Sequence, residues 1–224
     1  MKNNVFTIFP IQGGETGKNV SNMFLKIFSE KLKKKTVYIP VGITFDDGGA
    51  VSMTQLYYNF VRNRELKFQE TKLTVIRPFN CFAEMIEICD ENFCKFIEKI
   101  ADGFEISIVN LERASANAIK YFLEESMTIA LVIDCEQDSY LLRTESFIRN
   151  MRLLGENNLA EFLNKTIFVI SNGKEKQRDL LLRVVREEGK SRDYDFSNKF
   201  YFYEKGTGFV KSLMRRAEDF LNAQ

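Results

Sequence analysis

The residues best placed to do chemistry form one run, Gln12-Gly13-Gly14-Glu15-Thr16-Gly17-Lys18-Asn19. It joins an apolar segment, Val5–Ile11, to an amphipathic one that begins at Gly17. Glycines in such a turn let backbone N–H groups converge on an anion. A helix that starts there adds the positive end of its dipole, and a lysine in its first turn reaches phosphate oxygens. The chemistry this predicts is phosphate binding. The full pattern of a phosphate-binding loop is G-x-x-x-x-G-K-[ST]. Here Gln12 stands where the first glycine belongs, and Asn19 where a hydroxyl would hold Mg²⁺. Glu15 brings a negative charge into the turn, which works against an anion. An ordinary glycine-rich strand-to-helix turn accounts for the same residues, so the turn alone leaves both readings open.

Composition removes most other chemistries. The chain of 224 residues contains no His, which excludes a Ser-His-Asp triad, a His general base and a His-ligated metal. Its four cysteines, Cys81, Cys89, Cys94 and Cys135, show no CxxC spacing, so neither a zinc knuckle nor a thioredoxin-like site is expected. They read as reduced thiols of a cytoplasmic protein, with Cys89 and Cys94 on one helix. Lys plus Arg number 32 and Asp plus Glu 31, so the net charge of +1 gives no general push toward nucleic acid. No signal peptide or membrane-spanning stretch is read, which agrees with a cytoplasmic location.

The elements that must position the turn are legible from periodicity. Strands are expected at Val5–Ile11, Thr36–Val41, Lys72–Arg77, Ile106–Leu111, Thr128–Asp134, Thr166–Ser171 and Lys199–Tyr203. Several are apolar at nearly every residue, as parallel strands covered on both faces are. Amphipathic stretches at Gly17–Lys34, Ala83–Ala101, Ala114–Glu125, Leu141–Leu154, Glu175–Glu188 and Gly208–Leu221 predict the intervening helices. The alternation predicts an α/β fold: a doubly wound, mainly parallel sheet with helices on both faces, in one domain over residues 1–224. Ligands of such sheets sit at the C-terminal edge of the strands, where the glycine-rich turn lies.

In that setting the turn resembles the deviant K-G-G-x-G-K-T loop of the MinD/ParA family of dimeric P-loop ATPases. Gly13, Gly14, Gly17 and Lys18 match, with one extra residue in Glu15-Thr16. The resemblance implies a P-loop NTPase-like fold and ATP or ADP as ligand, held by Gln12 through Asn19. The family's signature lysine, which crosses the dimer interface, aligns with Gln12. Its Mg²⁺-binding threonine aligns with Asn19. Its second strand ends in D-x-D, where Pro40 and Gly42 stand here; Asp46 and Asp47 follow, either as displaced carboxylates or as part of an Asp-Asp-Gly-Gly turn. The family's Walker-B-like aspartate aligns with Asn110, with Glu112 as a partial replacement. Its adenine-reading asparagine aligns with Asn172, and Lys205-Gly206-Thr207-Gly208 aligns with a loop that wraps the base.

The segment from Lys72 to Phe79, the acidic helix after it and the segment from Gly103 to Val109 resemble the CpaE/TadZ branch of pilus-assembly factors, as does the turn Cys135–Ser139. That branch often carries a receiver-like N-terminal domain, which is not expected here. The resemblance implies a positioning or assembly factor with weak or absent ATP hydrolysis, a homodimer that docks on other proteins of an assembly or partition system. Two alternatives stand beside it: an active ATPase using Asp46, Asp47 and Glu112, and a partition module that holds DNA through Lys211, Arg215 and Arg216. The basic run Lys31, Lys33, Lys34 and Lys35 is expected to complement a helix C-terminus. A MinD-like C-terminal membrane helix is not expected.

Overall fold

Val5–Pro10 forms β1, and only Phe9 in it is not fully buried. A strand apolar and buried on both sides belongs inside a layered α/β sheet. The computed structural model describes residues 4–41, 51–68, 71–79, 91–112, 116–153, 156–189, 196 and 199–203. Among these, eight strands are present: β1, β2 (Thr36–Pro40), β3 (Val51–Ser52), β4 (Leu73–Arg77), β5 (Ile106–Asn110), β6 (Thr128–Asp134), β7 (Thr166–Ser171) and β8 (Phe200–Phe202). The helices are α1 (Glu15–Leu25), α2 (Met53–Val61), α3 (Glu91–Ala101), α4 (Ala116–Glu125), α5 (Tyr140–Leu153), α6 (Glu156–Lys165) and α7 (Glu175–Gly189). This is the expected α/β architecture of parallel strands with helices. Gly42, Asp46, Asp47, Cys81, Cys89, Lys205–Gly208, Lys211, Arg215 and Arg216 lie outside the described residues.

The chain divides into two compact units. The first holds Met1–Phe9 and Gly13–Ile129, the second Pro10–Gln12 and Ala130–Gln224. In the first unit the strand order is β3-β4-β2-β5-β1. The pairs β1–β5, β2–β5, β2–β4 and β3–β4 are all parallel. The register sets Asn110 opposite both Ile8 of β1 and Pro40 of β2. The core of this unit gathers Val37, Ile39, Phe79, Phe93, Phe96 and Phe122, among others. In the second unit the order is β6-β7-β8, with β7 and β8 parallel and Phe168 stacked on Phe200 at 4.5 Å between ring centroids.

Three expectations are corrected. The helix after β1 begins at Glu15 rather than Gly17 and is α-helical only to Leu25; Lys26–Lys31 then forms a wider π turn. That turn presents three consecutive residues, Ile27, Phe28 and Ser29, to the interior, and sets Phe28 4.6 Å from Phe6. β3 and α2 were not expected, although Ser52-Met53-Thr54-Gln55 is a helix-start signal; the Ser52 hydroxyl accepts from the Gln55 N–H. α6 was also missed, although Leu159, Phe162 and Leu163 recur at helical spacing and are all buried.

Two residues of the basic run, Lys34 and Lys35, meet the chain around Glu105. Lys34 pairs with Glu105 at 3.0 Å, the Lys35 N–H donates to Glu105 Oε2 at 2.8 Å, and the Lys35 ammonium lies 5.0 Å above the Phe104 ring. The Lys35 N–H, aided by the Lys34 ammonium, holds the Glu105 carboxyl below its ordinary range. No helix among the described residues is long and apolar enough to cross a membrane.

Candidate functional site

β1 stops at Pro10, and the chain reaches α1 through Ile11–Gly14. Two consecutive residues take positive φ there, Gly13 at 73° and Gly14 at 97°. Gly14 is the N-cap of α1, with ψ −166°, and no atom lies within 4 Å of the Cβ an alanine would add. Only glycine adopts such a backbone without strain. Glu15, Thr16, Gly17 and Lys18 form the first turn of α1, so the extra residue lengthens the helix instead of the loop. A carboxylate in that first turn is favourable to the helix, which explains why Glu15 winds in. Glu15, Lys18 and Asn19 are exposed, Thr16 is half-buried and Gly17 is buried.

The end of β5 supplies the other half of the first unit's site. Asn110 is 3% exposed. Its Nδ2 donates to the Tyr38 hydroxyl at 3.1 Å, and its Oδ1 accepts from the Glu112 N–H at 3.0 Å. The second contact turns the chain after Leu111 and aims Glu112 back at the loop. Glu112 Oε1 accepts from the Gly14 N–H at 2.9 Å. The same oxygen would lie 3.8 Å from a Cβ on Gly13, so the carboxylate covers both glycines. Glu112 thus contacts an N–H donor of the loop.

The second unit holds the remaining two candidates. Gln12 lies against the end of β6. Its Nε2 donates to the Asp134 carbonyl at 3.4 Å, and its Oε1 accepts from the Asp134 N–H at 3.2 Å. Asp134 Oδ1 in turn accepts from Asn172 Nδ2 at 3.1 Å and from the Glu136 N–H at 3.1 Å. Gln12 and Asn172 thus meet through Asp134. Sequence reading overlooked Asp134, yet a carboxylate closing an apolar strand at its C-terminal edge is a recognisable signal. Tyr38 was overlooked too, and nothing local marks it. Asn172 takes a left-handed φ of 54° beside Gly173. Burial, and after it the neighbouring Cys135 thiol, push the Tyr140 phenol above its ordinary range. Cys94 and Cys135 are half-buried.

These residues do not suit a metal. Asn19 and Asn110 are neutral where a hydroxyl and a carboxylate would serve Mg²⁺, and both hydrogen-bonding ends of Asn110 are already engaged. Among the described residues, no group of three His, Cys, Asp or Glu side chains is arranged to hold a metal ion. Phosphate fits only in part. Gly13 and Gly14 have the required backbone freedom and Lys18 the charge, but the Gly14 N–H is taken by a carboxylate.

No protein-family model matches the sequence, and no curated protein matches it. Solved structures do. A ParA family ATPase from Chlorobium tepidum TLS superposes with a TM-score of 0.62 at 15% identity, over 82% of this chain and 81% of that one. The septum site-determining protein MinD complexed with Mg-ADP, from Pyrococcus horikoshii OT3, gives 0.56 at 12% identity, over 97% and 95%. The ParA of pNOB8 bound to nonspecific DNA gives 0.56 at 13%, over 96% and 99%. At these identities the likeness establishes the fold, an α/β P-loop NTPase-like architecture.

Proposed function

We propose that this chain is a degenerate MinD/ParA-like P-loop protein that acts as a positioning or assembly factor of the TadZ/CpaE kind, with weak or absent ATP hydrolysis. Residues 1–224 act as one domain, work as a homodimer and dock on other proteins of an assembly or partition system. ATP or ADP would meet Gly13 through Asn19 with its phosphates. The fold supports this reading through MinD, which its solved structure holds with Mg-ADP.

The observation that carries the loss of hydrolysis is Asn110. Phosphoryl transfer depends on positioning and on a metal that neutralises developing charge. At the strand end where that metal's organiser is expected, this chain buries a neutral carboxamide, pinned between Tyr38 and the Glu112 N–H. Gln12 supports the same conclusion. Its amide closes on the Asp134 backbone of its own unit, at the position aligned with a lysine that reaches across a dimer.

The test is equilibrium binding of ATP and ADP, with and without Mg²⁺, to wild type and Lys18→Ala, together with ATP turnover. The expected result is weak binding that needs Lys18, little helped by Mg²⁺, and turnover at background. Robust Mg²⁺-dependent turnover abolished by Lys18→Ala overturns the proposal. A partition role is a second reading, favoured by the likeness to a ParA held on nonspecific DNA. It requires retention on nonspecific DNA that falls steeply with salt; no retention at low salt excludes it.

A further inference from the structure

The Glu112 carboxylate has a use that neither hydrolysis nor its loss explains. It comes from the far end of β5 to accept a hydrogen bond from the Gly14 N–H at 2.9 Å, inside the glycine turn. Its placement is built, not incidental. Tyr38 holds Asn110, and Asn110 holds the backbone of Glu112 in the turn that aims the side chain. Three hydrogen bonds thus run from β2 through β5 to the loop. An N–H that opens a helix is a preferred partner for an anion, and in this chain the anion is its own side chain.

We propose that Glu112 is an internal occupant of the phosphate cradle, taking the Gly14 N–H in place of a phosphate oxygen and keeping the loop closed to nucleotide until it is displaced. The inference rests on the reading of Gly13–Asn19 as a phosphate-binding loop. A phosphate arriving there must break the Glu112 contact, and it meets the negative charge of Glu112 as well as that of Glu15. Removing the carboxylate therefore frees a donor and removes a repulsion in one step. If Glu112 served a metal instead, its loss would weaken nucleotide binding, so the two roles predict opposite signs.

The experiment measures binding of ADP and of inorganic pyrophosphate, both without Mg²⁺, to full-length wild type, Glu112→Ala, Glu112→Gln, Asn110→Ala and Lys18→Ala. Circular dichroism first establishes that each variant is folded. Glu112→Ala is expected to bind both probes about tenfold more tightly or better, a gain of about 1.4 kcal/mol. Glu112→Gln should gain less, because its amide oxygen still accepts from Gly14. Asn110→Ala, which only releases the aim of Glu112, should gain least. The Gly14 amide proton resonance should move on Glu112→Ala and move back on adding pyrophosphate, a response that a purely structural role does not give. Equal or weaker binding by folded Glu112→Ala and Glu112→Gln overturns the inference. So does an absence of binding by every variant at millimolar probe, since the loop then holds no phosphate even when emptied. ATP turnover by wild type is read separately: background turnover with tighter binding by Glu112→Ala supports both proposals. Robust turnover sinks only the non-hydrolysing reading, unless Glu112→Ala also abolishes it, which makes Glu112 a metal helper and overturns the inference.

Discussion

Replacing Gly14 with alanine isolates the backbone strain of the loop from every steric effect. Gly14 has φ 97° and ψ −166°, a region essentially reserved for glycine. The added Cβ meets no atom within 4 Å, so neither a clash nor new packing contributes. What remains is the cost of holding an L-residue in that conformation, roughly 1–3 kcal/mol. This lowers the folding equilibrium constant by roughly 5- to 150-fold. Gly103→Ala is the matched control. Gly103 has no positive φ, and its added Cβ would sit 3.4 Å from the Ile100 carbonyl oxygen, an ordinary contact. There alanine restricts the unfolded chain and should be neutral or stabilising by up to about 1 kcal/mol. Equilibrium urea unfolding followed by far-UV circular dichroism suits a chain without tryptophan. The reasoning fails if Gly14→Ala lies within about 0.5 kcal/mol of wild type, the ordinary spread of surface substitutions. It fails equally if Gly103→Ala loses as much.

Two further outcomes follow from interactions in each unit. Lys199 is 5% exposed and donates to the Leu163 and Asn164 carbonyls at the end of α6, at 2.8 and 2.6 Å. Lys199→Met should cost roughly 1.5–3 kcal/mol per lost charged hydrogen bond at most, read as a lower urea midpoint; an unchanged midpoint contradicts the capping role. In acid, Glu105 and Glu188 should limit stability. The Lys35 N–H lowers the first and the Arg149 guanidinium the second, both from an ordinary value of 4.5. Between the lowered folded value and 4.5 the unfolded chain binds more protons, so the contribution is fully present above that window and is lost as pH falls through it. Melting temperature against pH should therefore fall less steeply in acid for Glu105→Gln and Glu188→Gln than for wild type. The Glu105 share should stay below about 1 kcal/mol because its pair with Lys34 is solvent-screened. Parallel wild-type and variant curves refute this assignment.

Legibility in the sequence tracked the range of the interactions. β6 and β7 were readable to the residue, because unbroken apolar runs bounded by polar residues are local signals. The two-residue β3 is too short to show a period, and the π turn is set by packing of Phe28 on Phe6. In the loop, the glycines were legible as positions needing unusual backbone. The helix start was not, because Glu15 and Thr16 fit a loop or a first helical turn equally well.

The sequence by itself determined the alternation of apolar strands and amphipathic helices, the glycine-rich turn after β1, and the absence of histidine chemistry. Each follows from periodicity, turn propensity or composition, which act over a few residues or none. Only the tertiary structure decided which polar groups meet. Gly14 and Glu112 lie 98 positions apart, Gln12 and Asp134 lie 122 apart, and Tyr38 and Asn110 lie 72 apart. Partners so distant in the chain are chosen by strand register and by where each strand ends. The same glutamate could have faced a metal, solvent or the loop; the turn fixed by Asn110 made it face the loop.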